Sequence, residues 1–255
     1  MSLPKEIISV IIPNHNYGRW AESALDSVLD NYFDGVSVCF IDDGSTDNSA
    51  SIVYNFISEK YENVSNNIPA ISGRYKDSPM KITLISKNES SGPSIARNIG
   101  ITHRFNETNY FMFLDSDDIY LPTKIKKSYD VIKKFEPMVG CVYTDYINFS
   151  IYNDIETHMN KEPFSKNRLL EECIIPCNCL VPKYVFEKVG LFDEEMRVAE
   201  DYDFWIRMSK HFIGYHIAEP LAKIRVGRYN STHTVPSDVW IKNWNRIREK
   251  LANES

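Results

Sequence analysis

Asp115-Ser116-Asp117-Asp118 is the densest carboxylate cluster in the chain, and it directly follows the apolar run Tyr110-Phe111-Met112-Phe113-Leu114. Charges that leave a buried strand must face solvent or a cation, and closely spaced hard oxygens suit Mg2+ or Mn2+ bridged to phosphate. An acidic cap on the helix that starts near Pro122 explains the same residues equally well. A calcium loop does not, because it needs Gly and Glu where this sequence has Tyr120 and Lys126.

Other clusters carry similar double readings. Asp42-Asp43-Gly44-Ser45 ends a second apolar run, where a carboxylate can accept hydrogen bonds from a base or ribose, or where Thr46 or Asp47 can cap a helix. Arg97 lies in a helix that opens after Gly92, and its planar fork of donors matches a diphosphate, unless it is an ordinary exposed helical arginine. Glu200-Asp201-Tyr202-Asp203 precedes Phe204 and Trp205. A carboxylate beside such apolar surface is raised in pKa and can act as a general base, although an acidic first turn also suits a helix dipole. His233 is a solitary imidazole, read either as a metal ligand or as a surface residue. Cys173, Cys177 and Cys179 cluster without the fourth ligand and companion pair that a zinc site wants.

The elements that position these residues follow from periodicity. Ile7 to Ile12, Val36 to Ile41, Lys81 to Ile85 and Tyr110 to Leu114 are short apolar runs, separated by segments with helical spacing. Such alternation predicts an open, mostly parallel α/β sheet over the first ~120 residues, with ligands bound at the carboxyl ends of its strands. Loops 13–18, 42–47 and 115–118 are thereby selected. Residues 62–80, rich in Asn, Ser and Gly, read as a surface loop. The second half reads as α+β, with helices over 122–134 and 202–210, a strand over 139–143, and a terminal helix over 238–251 that carries Trp240, Trp244 and Ile247 on one face.

Composition narrows the classes. The chain has 255 residues, 43% hydrophobic and 25% charged, enough for a substantial core. A net charge of −6 offers no basic field for nucleic acid phosphates. No apolar stretch is long enough to span a bilayer, and the N-terminus lacks a signal-peptide pattern, so a cytoplasmic protein is expected. Five cysteines, an odd number, argue against a disulfide framework.

In order, Ser9-Val10-Ile11-Ile12-Pro13 with Asn16 and Tyr17, Asp42-Asp43-Gly44-Ser45-Thr46-Asp47, Gly92-x-Ser94-x-Ala96-Arg97-Asn98-x-Gly100, Leu114-Asp115-Ser116-Asp117-Asp118, Gly190-x-Phe192-Asp193-Glu194 and Glu200-Asp201-x-x-x-Trp205-x-x-Met208 resemble the family 2 inverting glycosyltransferases of GT-A fold. The resemblance implies a nucleotide-sugar-binding subdomain over 1–125, an acceptor-binding and catalytic subdomain over 126–235, and a C-terminal helix over 236–255. It puts Pro13, Asn16, Tyr17 and either Asp42 or Asp43 at the nucleoside, and Arg97 at the base or diphosphate. Asp115 falls on the ribose side, with Ser116 also on the donor, and Asp117 at Mn2+ or Mg2+, where His233, on its own residue type, is the candidate further ligand. Asp201 becomes the base that deprotonates the acceptor, with Glu200 and Trp205 on the acceptor side. The implied donor is a nucleoside diphosphate sugar, most readily a UDP-sugar, and the acceptor a glycan or lipid-linked hydroxyl, which would bring the chain to the inner face of the membrane. The Gln-x-x-Arg-Trp signature of processive members is missing, so one transfer per encounter is expected. The rivals are a metal-dependent phosphohydrolase with Asp115 as nucleophile and a non-catalytic nucleotide-sugar-binding module.

Overall fold

The computed structural model of the chain describes residues 7–67, 70–75, 80–150, 152, 155–227 and 234–252. The first half runs β1 (Ile8–Asn14), α1 (Gly18–Leu29), β2 (Val36–Asp42), α2 (Ser49–Lys60), β3 (Tyr61–Asn67), β4 (Ala70–Tyr75), β5 (Lys81–Ser86), α3 (Pro93–Arg104) and β6 (Tyr110–Phe113). The second half carries β7 (Ile119–Tyr120), α4 (Lys124–Phe135), β8 (Val139–Ser150), β9 (Glu156–Met159), α5 (Lys166–Glu171), β10 (Leu180–Pro182), α6 (Lys183–Val189), α7 (Glu200–Met208), β11 (Ile213–Val226) and α8 (Ser237–Ala252).

Side chains alternate across the sheet, as a strand's period of two requires. Ile8, Val10 and Ile12 of β1 enter one core with Ala21 and Ala24 of α1, Val53 of α2 and Ile125 of α4. Ile11 enters the other, with Ala96 and Ile101 of α3 and Phe204 of α7. Burial on both faces is why these strands read as unbroken apolar runs. Each fully buried Ile contributes about 1.5–3 kcal/mol relative to exposure, so the loops that follow stand on well-anchored strands.

The sheet formed by the described residues has the order β3-β4-β5-β2-β1-β6-β10-β8-β11-β7, with β9 on β8. β5, β2, β1 and β6 are mutually parallel, and their register pairs Asn14 with Asp42, Asp42 with Ser86, and Ile11 with Phe113. The carboxyl ends of β1, β2 and β5 therefore finish level, β6 ends three residues lower beside Ile11, and a crevice opens at this end of the sheet. β10 continues the sheet into the second half, antiparallel to both β6 and β8, while β11 lies parallel to β8 and antiparallel to β7. The sheet is thus continuous past residue 125, which itself lies in α4.

Two expectations change. The stretch 62–80 is not a loop throughout: β3 and β4 form an antiparallel ribbon that adds to β5 at the sheet edge. Edge strands need no continuous apolar run, so their Asn, Ser and Gly content hid them. The strand expected over 139–143 extends to Ser150, because β11 pairs along most of its length.

Candidate active site

The loops after β1 and β2 are clasped together. Asn16, at φ 63°, uses its Oδ1 to accept from Thr46 N at 2.7 Å and Asp47 N at 3.2 Å. Asn14 Nδ2 donates to Asp42 Oδ1 at 3.0 Å and to Ser45 Oγ at 3.1 Å, and Gly18 N donates to Asp47 Oδ2 at 3.1 Å. The side chains of Asn16 and Asp42 are consumed by this clasp and do not line the cavity described below.

Asp43 does line it. Its carboxylate gathers the turn before α3, accepting from Ser91 N at 2.9 Å, Gly92 N at 2.8 Å, Ser90 Oγ at 2.9 Å and Lys87 Nζ at 2.5 Å. Burial alone would raise its pKa, but Lys87 and the donors of Gly92, Ser91 and Ser90 outweigh burial and hold it below the usual carboxylate range. Gly44, at φ 65°, permits the approach, since a Cβ there would collide with the backbone of Glu89 and Ser90.

The acidic cluster after β6 divides its tasks. Arg97 of α3, only 3% exposed, donates from Nη2 to Asp115 Oδ1 at 2.7 Å and from Nη1 to Glu200 Oε1 at 2.6 Å. Asp118 accepts from Arg225 N of β11 at 2.8 Å, which ties the cluster to the second half of the sheet. Burial, then the Asp115 carboxylate, pushes Asp117 up to about 7. Tyr17 is pushed up to about 12, by burial and then by Asp117 and Asp115.

This excess of negative charge tests the cluster as a cation site. Among the described residues no three His, Cys, Asp or Glu side chains converge into a closed cage. Asp117, whose carboxyl is held back from ionisation by burial and by the neighbouring Asp115 charge, fits an open site in which phosphate oxygens and water would complete the coordination of Mg2+ or Mn2+. His233 lies outside the described residues.

Glu200 and Asp201 start α7 and line the same cavity, Glu200 reached from Asp115 through the one guanidinium of Arg97. Burial first, and then the Glu200 carboxylate, pushes Asp201 up to about 7, while Arg97 and the Tyr202 N–H at 2.8 Å oppose the rise. A carboxyl poised there can hold or release a proton at neutral pH, as a general base must.

One cavity of ≈ 670 Å³ joins these parts. Of the residues expected at a site, Pro13, Tyr17, Asp43, Arg97, Asp115, Ser116, Asp117, Glu200 and Asp201 all line it. Trp205 does not: it is 0% exposed and packs edge-on against Phe204 in the core, so its place is structural. Arg97, expected at the base or diphosphate, is committed to Asp115 and Glu200 instead. The walls also include His15, Cys177, Arg197, Trp240 and Trp244, to which the sequence reading gave no task in the site. The two tryptophans had left a helical signal, four residues apart on one face, while His15 lay within the selected loop 13–18 and Cys177 within the cysteine cluster.

Comparison with known proteins agrees with this geometry. The family model described as "Glycosyl transferase family 2" matches residues 9–190. An uncharacterized glycosyltransferase of Rickettsia prowazekii is 28% identical over 258 residues, covering 97% of this chain and 73% of the relative. Among solved structures, S. aureus TarS 1-349 in complex with UDP-GlcNAc superposes with TM-score 0.66 at 17% identity, covering 90% of this chain and 61% of that one. Mannosyltransferase PcManGT from Pyrobaculum calidifontis, in complex with GDP-Man and Mn2+, gives TM-score 0.63 at 15% identity, covering 88% and 58%. The chain spans less than two thirds of either solved chain. At these identities the likeness establishes the fold, and the fold is the GT-A arrangement that the motifs led us to expect.

Proposed function

Since the chain belongs to glycosyl transferase family 2, we propose that it moves one sugar per encounter from a UDP-sugar to a hydroxyl of a glycan or lipid-linked acceptor, with inversion at the anomeric carbon. The observation that carries this reading is the placement of Asp201, a carboxyl with its pKa pushed up to about 7, in the same cavity as Asp115 and Asp117.

Pro13, Asp43 and the 90–92 turn shape the nucleoside end, and Asp115 receives the ribose. Asp117 would hold Mn2+ or Mg2+ together with donor phosphate oxygens, and the cation would offset charge on the departing diphosphate. Asp201 takes the proton from the acceptor hydroxyl while that oxygen attacks the anomeric carbon opposite the diphosphate. In-line attack on that face inverts the stereochemistry. Glu200, held by Arg97, raises the basicity of Asp201 through its charge.

The family match sets aside the phosphohydrolase, and the Asp115–Arg97 ion pair weighs against a free Asp115 nucleophile. The raised Asp201 favours an active enzyme over a binding module. The test is a panel of UDP-, GDP- and dTDP-sugars with Mn2+. Release of UDP that stops in EDTA supports the reading, and phosphate release from a simple phosphomonoester contradicts it.

A further inference from the structure

α8 was legible as an amphipathic helix, yet its face is not simply a core face. Asn243 and Ile247 are buried at 3% each, while Trp240 and Trp244 are only half-buried and line the cavity. Trp244 meets Tyr202, the neighbour of Asp201, with ring centroids 5.3 Å apart at 62°. The helix is pinned by charge. Asp193 accepts from Arg246 Nε at 2.7 Å and from Lys250 Nζ at 2.6 Å, and Lys250 also reaches Asp203 at 2.5 Å. The two indoles are therefore held at a fixed place relative to Asp201.

Resting on the glycosyltransferase reading, we propose that Trp240 and Trp244 form a stacking platform for a pyranose ring of the acceptor, which makes the acceptor a carbohydrate at the point of transfer. A pyranose offers a face of polarised C–H groups, which lie against the electron-rich face of an aromatic ring, while its hydroxyls point outward around the rim. The cavity beside the indoles supplies acceptors and a hydroxyl for that rim, from Glu200, Asp201 and Thr234. Arg246 and Lys250 are committed to Asp193, so α8 turns neutral aromatic surface to the cavity, which does not suit a phosphate. A polyprenyl chain wants uninterrupted apolar surface, and the two carboxylates interrupt it.

The experiment uses the full chain, the UDP-sugar selected by the donor panel, and methyl glycosides of common hexoses and N-acetylhexosamines as probes. UDP release gives the KM for donor and glycoside, and tryptophan fluorescence with UDP and Mn2+ present gives glycoside binding. At least one glycoside is expected to accelerate UDP release and to shift the fluorescence saturably. Trp240→Ala should raise its KM about tenfold, with the donor KM changed less than twofold, and Trp240→Phe should recover most of the loss. Ile241→Ala, at a 59% exposed position on the same helix, is the control and should match wild type. Because Trp244 packs on Tyr202, it is replaced only by Phe, with melting followed in parallel.

The platform is overturned if no glycoside binds or accelerates release, if Trp240→Ala leaves the glycoside KM unchanged, or if polyprenyl phosphate vesicles shift the fluorescence and glycosides do not. Absence of UDP release from every UDP-sugar in the wild type would instead overturn the UDP-sugar transfer reading on which the platform rests.

Discussion

Arg97 bridges Asp115 and Glu200 at the cavity lining, with Nη2 2.7 Å from one carboxylate and Nη1 2.6 Å from the other. One buried guanidinium thereby couples the end of β6 to the start of α7, the elements that carry the proposed donor and acceptor groups. Only a planar fork of donors can serve both carboxylates at once.

Arg97→Ala leaves Glu200 buried without its counter-charge, and breaking such a pair costs about 3–5 kcal/mol. Its melting temperature should fall by many degrees. Arg97→Lys keeps the charge but reaches one carboxylate at a time, so it should melt closer to wild type while transfer falls at least about tenfold, or roughly 1.4 kcal/mol. Thermal melts and turnover of the pair check this. Wild-type turnover in the lysine variant would refute the coupling.

The pH dependence follows from Asp201. Its carboxyl acts as base only when ionised, so turnover at saturating metal and donor should rise with pH through about 7 and level off above. Stability should run the other way. Asp201 and Asp117 are raised from a reference of 3.8, so the protonated folded state is favoured, and their contribution is full below that value and lost as pH rises through about 7. Metal-free wild type should therefore lose more melting temperature between about pH 5 and about pH 8 than Asp201→Asn does. Parallel slopes for the two proteins would contradict the assignment.

Gly44→Ala tests the turn that brings Asp43 to the 90–92 loop. The added Cβ meets backbone rather than a movable side chain, and φ 65° is itself unfavourable for alanine, so a loss of more than about 1 kcal/mol is expected from denaturant unfolding. UDP affinity should weaken with it. A variant as stable as wild type would mean that the two loops adjust independently.

Much of this arrangement was written in the sequence, and the rest was hidden for physical reasons. β1, β2, β5 and β6 were visible because strands buried on both faces must be apolar throughout, and the loops at their ends followed from that. The β3–β4 ribbon was not, because at this margin of the sheet β4 takes its pairing from β5 and the edge strand β3 from β4, and neither needs a continuous apolar run. Asp42 and Asp43 could not be separated by type, being adjacent carboxylates. Register separates them, since Asp42 is the last residue of β2, opposite Asn14, and Asp43 begins the turn into the cavity. Trp205 misled because α7 is buried on several sides at once, whereas Trp240 and Trp244 reach the site only through the docking of α8 by Asp193 and Asp203.

Asp117 should govern the metal requirement. Asp117→Asn removes a hard anionic ligand, so Mn2+ should no longer strengthen UDP binding, while UDP affinity without metal should stay within about twofold, under 0.5 kcal/mol. Calorimetry of UDP binding with Mn2+ and with EDTA reads both quantities. Undiminished Mn2+ enhancement in the variant would move the cation elsewhere.

The central claim concerns Asp201, and Asp201→Asn tests it most directly, since the amide keeps the shape and cannot accept the proton. UDP affinity and single-turnover transfer are measured on the same preparation. The account predicts affinity within about twofold of wild type and transfer reduced by a factor on the order of 10³. Equal loss of affinity and transfer, or transfer near the wild-type rate, would contradict its role as the base.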